Sequence, residues 1–241
     1  MSCAIAVMAK APQPGRSKTR LVPPLSPEEA AGLSAAFLRD ITENLRLVGE
    51  EVPIAPFVAY APAGREALFD GILAPGTRLI LADGTPEMPA GVTGFGRCLL
   101  HAVQTLSNAG YSAACVLNSD SPTLPTRYLK RAVEVLDMPG DRVVLGPAED
   151  GGYYLLGVKR PHAQLFADID WSTDRVAAQT RERAAALGIP LVELGPWYDV
   201  DDSDSLARLL DDLGMTPPPG FSAPNTATYI AELGLHILSA A

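Results

Sequence analysis

The sequence predicts an α/β protein: one domain in which short apolar strands alternate with amphipathic helices around a parallel sheet. Three observations predict it. Apolar runs too short for a helix recur at Cys3–Met8, Ile54–Ala59, Arg78–Leu81, Ala113–Leu117, Arg142–Ala148 and Leu191–Leu194, and helical spacings fill most of the gaps between them. The runs stop abruptly in loops rich in Pro, Gly or Asp, as buried strands do at the rim of such a sheet. The chain has 241 residues, 47% hydrophobic and 20% charged, enough for one large domain that buries roughly 70–75% of its unfolded surface.

Cys3–Met8 is the first strand. Ser26-Pro27-Glu28-Glu29 then supplies an N-cap, a proline at the first helical position and two acids in the first turn. Ala30, Leu33, Phe37, Ile41, Leu45 and Val48 follow at spacings of three or four, which defines a long amphipathic helix. Ile54–Ala59 reads as a strand, Arg65–Phe69 as a short helix and Arg78–Leu81 as a strand, separated by Pro/Gly turns. Pro86–Gly96 is a loop, and Phe95–Leu106 a helix with Leu99, Ala102, Val103 and Leu106 inward. After the Ala113–Leu117 strand, Leu129, Ala132, Val133 and Leu136 mark a helix from about Thr126. Arg142–Ala148 and a run ending at Val158 are strands. Val176, Thr180, Ala184 and Leu187 mark a helix, with Ser172 or Thr173 as its N-cap. Leu191–Leu194 is the last strand, followed by a helix carrying Leu206, Leu209, Leu210 and Leu213. Pro217-Pro218-Pro219-Gly220 breaks the pattern, so the expected division is a main unit over 1–214 and a Pro-rich linker with a helical appendage over 215–241. Ile230, Leu233, Ile237 and Leu238 make its Ala227–Leu238 segment amphipathic, fit for an appendage or a homodimer contact.

Four segments carry chemistry. Lys10-Ala11-Pro12-Gln13-Pro14-Gly15-Arg16-Ser17-Lys18-Thr19-Arg20 places four of the nineteen basic residues of an acidic chain directly after the first strand. Phosphate is the expected cause, since lysine and arginine supply charge and forked donors while Gly15 allows close backbone approach. The alternative is a solvated basic loop; the segment has neither a Walker spacing nor a dinucleotide fingerprint. Asn118-Ser119-Asp120-Ser121-Pro122 brings a carboxylate to a strand end, where it serves either a ligand or a turn and helix cap. Glu149-Asp150-Gly151-Gly152 reads either as a hairpin turn alone or as a turn that also puts two acids and exposed backbone at a strand end. Trp197-Tyr198-Asp199-Val200-Asp201-Asp202-Ser203-Asp204 holds four carboxylates in a short span. The helix dipole accounts for Asp202 and Asp204, but not for Asp199 and Asp201. If Asp201 meets Asp120 across the rim, the two charges repel unless a divalent cation with oxygen ligands joins them.

The remaining composition narrows the partners. A net charge of −9 and a pI near 4.8 disfavour nucleic-acid binding, which relies on dense Lys/Arg. No run reaches the ~20 apolar residues of a membrane span. Cys3, Cys98 and Cys115 are odd in number and far apart, which suits buried thiols in a reducing compartment, and the expected location is cytoplasmic. His101, His162 and His236 are isolated, and no zinc site is expected.

With these motifs in hand, the chain resembles the DUF2064, or transferase-1, group of the nucleotide-diphospho-sugar transferase superfamily over roughly residues 3–213. The resemblance rests on KAPQPGRSKTRL at Lys10–Leu21, NSDSPTLP at Asn118–Pro125, GPAEDGGYYLLG at Gly146–Gly157 and WYDVDD at Trp197–Asp202. The first motif and the helix after it are also similar to 2-phospholactate guanylyltransferases. Relatives carry an acid where Gly94-Phe95-Gly96-Arg97-Cys98 has none, and DVDT where this chain has DVDD.

The resemblance implies a single-domain, Rossmann-like glycosyltransferase-A fold with a mixed, mostly parallel sheet. It implies nucleotide and phosphate contacts from Lys10, Gly15, Arg16, Lys18, Arg20 and Ser119. Asp120 and Asp201 fall on metal acids for Mg²⁺ or Mn²⁺. Asp150, Gly151, Gly152, Tyr153, Trp171 and Asp174 fall beside the acceptor, and Lys18, Arg20 and Asp120 are the implied catalytic set. The implied partners are a nucleotide or nucleotide-sugar and a small acceptor. Nucleotidyl transfer from a nucleoside triphosphate to a small phosphorylated acceptor is the first expectation, glycosyl transfer the second, and a non-catalytic nucleotide-binding protein the third.

Overall fold

The computed structural model describes residues 2–235. Seven strands, β1 (Cys3–Lys10), β2 (Ile54–Ala61), β3 (Arg78–Leu81), β4 (Ala113–Leu117), β5 (Val143–Pro147), β6 (Tyr153–Val158) and β7 (Leu191–Glu193), form one sheet in the order β3-β2-β1-β4-β6-β5-β7. β6 runs antiparallel to both its neighbours; every other pairing is parallel. The mixed, mostly parallel α/β architecture expected from the sequence is the one observed.

Both faces of the sheet are covered, which is why its strands read as continuous apolar runs. Cys3, Ile5 and Val7 point to one face with Cys115, Leu117 and Leu155; there they meet α1 (Pro27–Glu51), α3 (Thr126–Asp137) and α5 (Ser203–Gly214). Ala4 and Ala6 point the other way with Ala114, Val116 and Leu156, against α2 (Phe95–Asn108) and α4 (Val176–Ala186). Helix α1 begins with a reciprocal cap: Glu29 N donates to Ser26 Oγ at 3.2 Å and Ser26 N to Glu29 Oε2 at 2.7 Å, satisfying two donors that the first turn leaves free. Its Ala30, Leu33, Phe37, Ile41, Leu45 and Val48 are all buried.

Local differences from the sequence reading have local causes. β1 and β2 each run two residues further than expected, because the last residues of both pair with each other up to Lys10 and Ala61. The short helix after β2 is a single 3-10 turn, Glu66–Phe69. Helix α4 is not capped by Ser172 or Thr173: it starts at Val176 with Arg175 at the N-cap, and Thr173 Oγ1 instead donates to Asp170 O at 2.7 Å. Cys3 and Cys115 are buried on adjacent strands, but Cys98 lies half-buried on α2. The last helix, α6, spans Pro224–Glu232; His236, Ile237 and Leu238 lie outside the described residues.

Helix α6 is fastened to α1 by a buried charge. Asp40 on α1 accepts from Asn225 N at 3.0 Å, Asn225 Nδ2 at 2.7 Å and Thr226 N at 2.6 Å. A carboxylate thus sits on the N-terminal turn of α6, where the free N–H groups and dipole favour negative charge. Nearby, Asn44 Nδ2 donates to Leu124 O at 2.8 Å and Asn44 Oδ1 accepts from Thr126 Oγ1 at 2.7 Å, fixing α1 against the loop that follows β4.

The reversal of β6 shapes the rim. The Asp150-Gly151-Gly152 segment closes a β5–β6 hairpin: Gly152 N donates to Asp150 Oδ1 at 2.8 Å, and Ala148 N to Gly152 O at 3.0 Å. Gly151 has φ +91, and a Cβ there would lie 2.1 Å from the carbonyl oxygen of Asp174, so both backbone shape and a close chain crossing require glycine. The hairpin puts the first residue of β6 at the same sheet edge as the last residues of β1, β2 and β4.

Candidate active site

The C-terminal edges of β1, β2 and β4 border a cleft of about 420 Å³ lined by Met8, Lys10, Arg16, Lys18, Arg20, Ser34, Ala59, Ala61, Ala82, Phe95, Cys98, Ser119, Asp120 and Asp201. Ligands of open α/β sheets bind at such an edge. The basic loop after β1 supplies one wall. Its turn is internally bonded, with Arg16 N and Ser17 N donating to Gln13 O at 3.0 and 3.1 Å and Gln13 N to Ser17 Oγ at 3.0 Å. Gly15, at φ +70, shapes this turn and does not line the cleft.

Asp120 and Asp201 do meet, and a cation already joins them. Lys18 Nζ lies 2.5 Å from Asp120 Oδ1 and 3.1 Å from Asp201 Oδ1, and donates to Val200 O at 2.6 Å, so its three N–H groups are all engaged. The ammonium also stands 5.2 Å from the centre of the Phe37 ring. Lys18 itself is left-handed at φ 48 and ψ 41, a conformation that costs a lysine roughly 1–3 kcal/mol and marks functional sites. Its side chain is 4% exposed. Burial pushes the lysine pKa down, yet the two carboxylates outweigh it and hold the group above its ordinary value. Asp120 therefore pairs with Lys18 and does not cap α3, whose N-cap is Pro125.

The two acidic segments reach each other because their backbones are stitched together. Val200 N donates to Asp120 O at 2.9 Å and Ser121 Oγ to Tyr198 O at 2.8 Å. Asp202, by contrast, caps α5 by accepting from Ser205 N at 2.9 Å, the role that dipole reasoning assigned to it. Asp199 is the acid that sequence reasoning left without a role. Burial, reinforced by Asp150, Asp201 and Asp120, pushes its carboxyl up to about 6.

The two carboxylates offer hard oxygen donors to a divalent cation. Their side chains are 33% and 42% exposed toward the cleft, and each approaches Lys18 through one oxygen, leaving the other for a further partner. Among the described residues no group of three or more His, Cys, Asp or Glu is arranged to cage a metal. The pair fits an ion of the magnesium type, which takes one or two carboxylates and completes its shell with water and substrate phosphate.

The remaining expected residues divide. Lys10, Arg16, Arg20 and Ser119 line the main cleft, and Ser119 Oγ lies 3.4 Å from Asp120 Oδ1. Tyr153 lines a smaller cavity beside it. Asp150, Gly151 and Gly152 form the hairpin turn, with Asp174 crossing at Gly151. Trp171 packs edge-on against Phe95 with ring centres 6.1 Å apart. These five line neither cavity. Phe95, 49% exposed, borders both, a position to which the start of a helix in the sequence gave no clue.

The fold is the Rossmann-like, glycosyltransferase-A type of the nucleotide-diphospho-sugar transferases. The chain belongs to the DUF2064 family, described as an uncharacterized protein conserved in bacteria, whose model matches residues 44–173. Among solved structures it is similar to a candidate nucleotide-diphospho-sugar transferase from Desulfovibrio desulfuricans G20, at 25% identity over 98% of this chain and 97% of that one, with a TM-score of 0.78. It shares its fold with CMP:2-keto-3-deoxy-manno-octonic acid synthetase complexed with CTP, at 13% identity over 87% and 97% of the chains and a TM-score of 0.53. The same holds for glucosyl-3-phosphoglycerate synthase from Mycobacterium tuberculosis in complex with Mn²⁺, UDP and phosphoglyceric acid, at 12% identity over 96% and 78% of the chains and a TM-score of 0.51. No curated protein matches the chain.

Proposed function

We propose that this protein is a metal-assisted glycosyltransferase that takes a nucleotide-diphospho-sugar as donor and a small molecule as acceptor. The observation that carries the reading is the convergence of Lys10, Arg16 and Arg20 with the Asp120–Lys18–Asp201 triad on one cleft. The name given to the Desulfovibrio protein, similar over nearly the full length of both chains, supports the donor class.

In this reading Lys10, Arg16 and Arg20 hold the diphosphate, since all three border the cleft and, among the described residues, none lies within 4 Å of a carboxylate. Asp120 and Asp201 would hold Mg²⁺ or Mn²⁺, which when bound supplies positive charge to the diphosphate leaving group. Lys18 keeps the two carboxylates together at the spacing a cation needs, and its fixed charge lowers the cost of gathering them. The acceptor oxygen bonds to the sugar carbon as the bond from that carbon to the nucleoside diphosphate breaks, the hydroxyl proton passes to the departing diphosphate, and no protein nucleophile is required. Nucleotidyl transfer is a second reading: three cations beside the triad are more charge than a diphosphate needs, which favours a triphosphate.

The test is a thermal-shift panel of nucleoside triphosphates and nucleotide-sugars with and without Mg²⁺ or Mn²⁺, on wild type and Asp120→Asn. A ligand at ~100 times its dissociation constant adds about 2.7 kcal/mol, a shift of roughly 5–11 °C at this size. Stabilisation by nucleotide-sugars that requires metal and Asp120 is expected. Stabilisation by triphosphates alone moves the function to nucleotidyl transfer, and no metal-dependent shift refutes both.

A further inference from the structure

Among the cations of the cleft, Lys18 is the one with no hydrogen left for a phosphate. Its three N–H groups are engaged by Asp120 Oδ1 at 2.5 Å, Asp201 Oδ1 at 3.1 Å and Val200 O at 2.6 Å, and its side chain is 4% exposed. An ammonium has no fourth donor, so a phosphate oxygen would have to break one of these bonds to gain its own. Lys10, Arg16 and Arg20 border the same cleft and, among the described residues, make no ion pair, so a diphosphate can bind them without such a loss.

Several features fix Lys18 on the acids. Its backbone turns inward at φ 48 and ψ 41, and its carbonyl accepts from Leu21 N at 2.9 Å in the short helical turn Thr19–Leu21. The ring of Phe37 stands 5.2 Å from the ammonium, an attraction that adds to the charge pairing. The segments that carry the acids meet without the lysine, through Val200 N donating to Asp120 O and Ser121 Oγ to Tyr198 O. What Lys18 adds to the pair is therefore charge. Two carboxylates and one ammonium leave a single net negative charge where the acids alone would present two. A divalent cation arriving at the free carboxylate oxygens is drawn by that one charge and repelled by an ammonium already shared between both acids.

We propose that Lys18 is a fixed counter-ion that holds down the affinity of Asp120 and Asp201 for a divalent cation on its own, so that the cation enters with the nucleotide instead of before it. The diphosphate on Lys10, Arg16 and Arg20 brings the negative charge that the acids lack, and oxygens to complete the shell of an ion that two carboxylates hold only in part. Lys18 is then a positioning residue that acts through the acids, not a phosphate ligand. The inference rests on the proposed use of the two acids as metal ligands and goes beyond it by giving the order in which the site fills.

The test is titration of Mn²⁺ alone, followed by the electron paramagnetic resonance signal of the free ion, into wild type, Lys18→Met and Lys10→Met. Lys18→Met keeps much of the length and burial of the side chain without its charge, and is expected to bind Mn²⁺ about 10-fold more tightly than wild type. Lys10→Met removes the same charge from the cleft but not from the acids, and is expected to stay within about 3-fold of wild type. Lys18→Gln, which keeps amide donors for the acids, is titrated in parallel in case Lys18→Met folds poorly with two unneutralised carboxylates, and the melting temperature of each variant reads its folding. No tightening in the folded Lys18 variant, or equal tightening in Lys10→Met, overturns the counter-ion role while leaving the metal reading intact. Mn²⁺ that binds wild type as tightly alone as with UDP, GDP or ADP overturns the order of filling. Mn²⁺ that binds wild type neither alone nor with any of the three overturns the metal reading and this inference with it.

Discussion

Lys18 and the acids around it show how much of a site can be legible in single residues and where legibility stops. Asp120 could be singled out because it ends an apolar strand on a carboxylate, with a turn or helix cap as the alternative, and Asp201 because the helix dipole does not account for it. That a lysine from the basic loop bridges them was not legible, since nothing in a linear pattern tells a phosphate-binding lysine from one that turns inward at φ 48. Asp199 was equally silent, because its character comes from burial among Asp150, Asp201 and Asp120. Its raised pKa has a consequence for stability. The native protein holds this proton up to about pH 6, whereas the unfolded chain loses it near 4, so stability falls as pH rises between those values and stays lowered above them. In metal-free buffer Asp199→Asn should flatten that slope and raise the melting temperature at pH 7. After allowance for solvent screening the gain is ~1 kcal/mol, or about 2–4 °C; a melting curve series from pH 4 to 8 checks it.

At the scale of elements, the strands and helices were readable to within a few residues because both faces of the sheet are covered and α1 carries an explicit start signal at Ser26-Pro27. The exceptions are segments whose conformation is set by a distant partner. Thr173 had the right chemistry for a cap but bonds back to Asp170, and the hairpin at Gly151 depends on Asp174 crossing it. Helix α6 is the strongest case. Asp40 carries no signal in the sequence, yet it is fully buried and accepts three hydrogen bonds from the start of α6. Asp40→Ala would leave two backbone donors of α6 without their acceptor and should cost about 2–4 kcal/mol. Urea denaturation followed by far-ultraviolet circular dichroism measures this, and an unchanged midpoint would show that α6 is held by its apolar contacts alone.

Across the whole molecule, charge is distributed against its own average. The chain carries −9 overall, while Lys10, Arg16 and Arg20 gather on one cleft. An anionic ligand therefore meets long-range repulsion and short-range attraction, and salt screens each by a different amount. Contacts to exposed cations dominate once the ligand is seated, so raising ionic strength from 50 to 500 mM should weaken nucleoside diphosphate binding by roughly 3- to 10-fold. Titrations across that range decide it, and tighter binding at high salt would mean that the global field outweighs the local one. The fold itself was legible at this scale from the alternation of elements alone, whereas the division of the rim into a cationic cleft and a smaller side cavity with no cation in its lining emerges only when β4, β6 and α2 are brought together.

The reversed strand β6 has a consequence for how such a rim can change over time. Tyr153 and Tyr154 point to opposite faces of the sheet, Tyr153 toward α2 and Tyr154 toward α3, and the turn preceding them spans only Ala148–Gly152. Residues 154 to 158 are buried on both faces, and a side chain in place of Gly157 would strike Cys115 and Leu136, so the strand cannot slide by one place without breaking its own packing. A residue added to the turn is therefore absorbed in the turn, and reshapes the rim beside Tyr153 while the basic loop and its acids, anchored on other strands, stay where they are. In this architecture the hairpin can change length independently of the sheet that carries it.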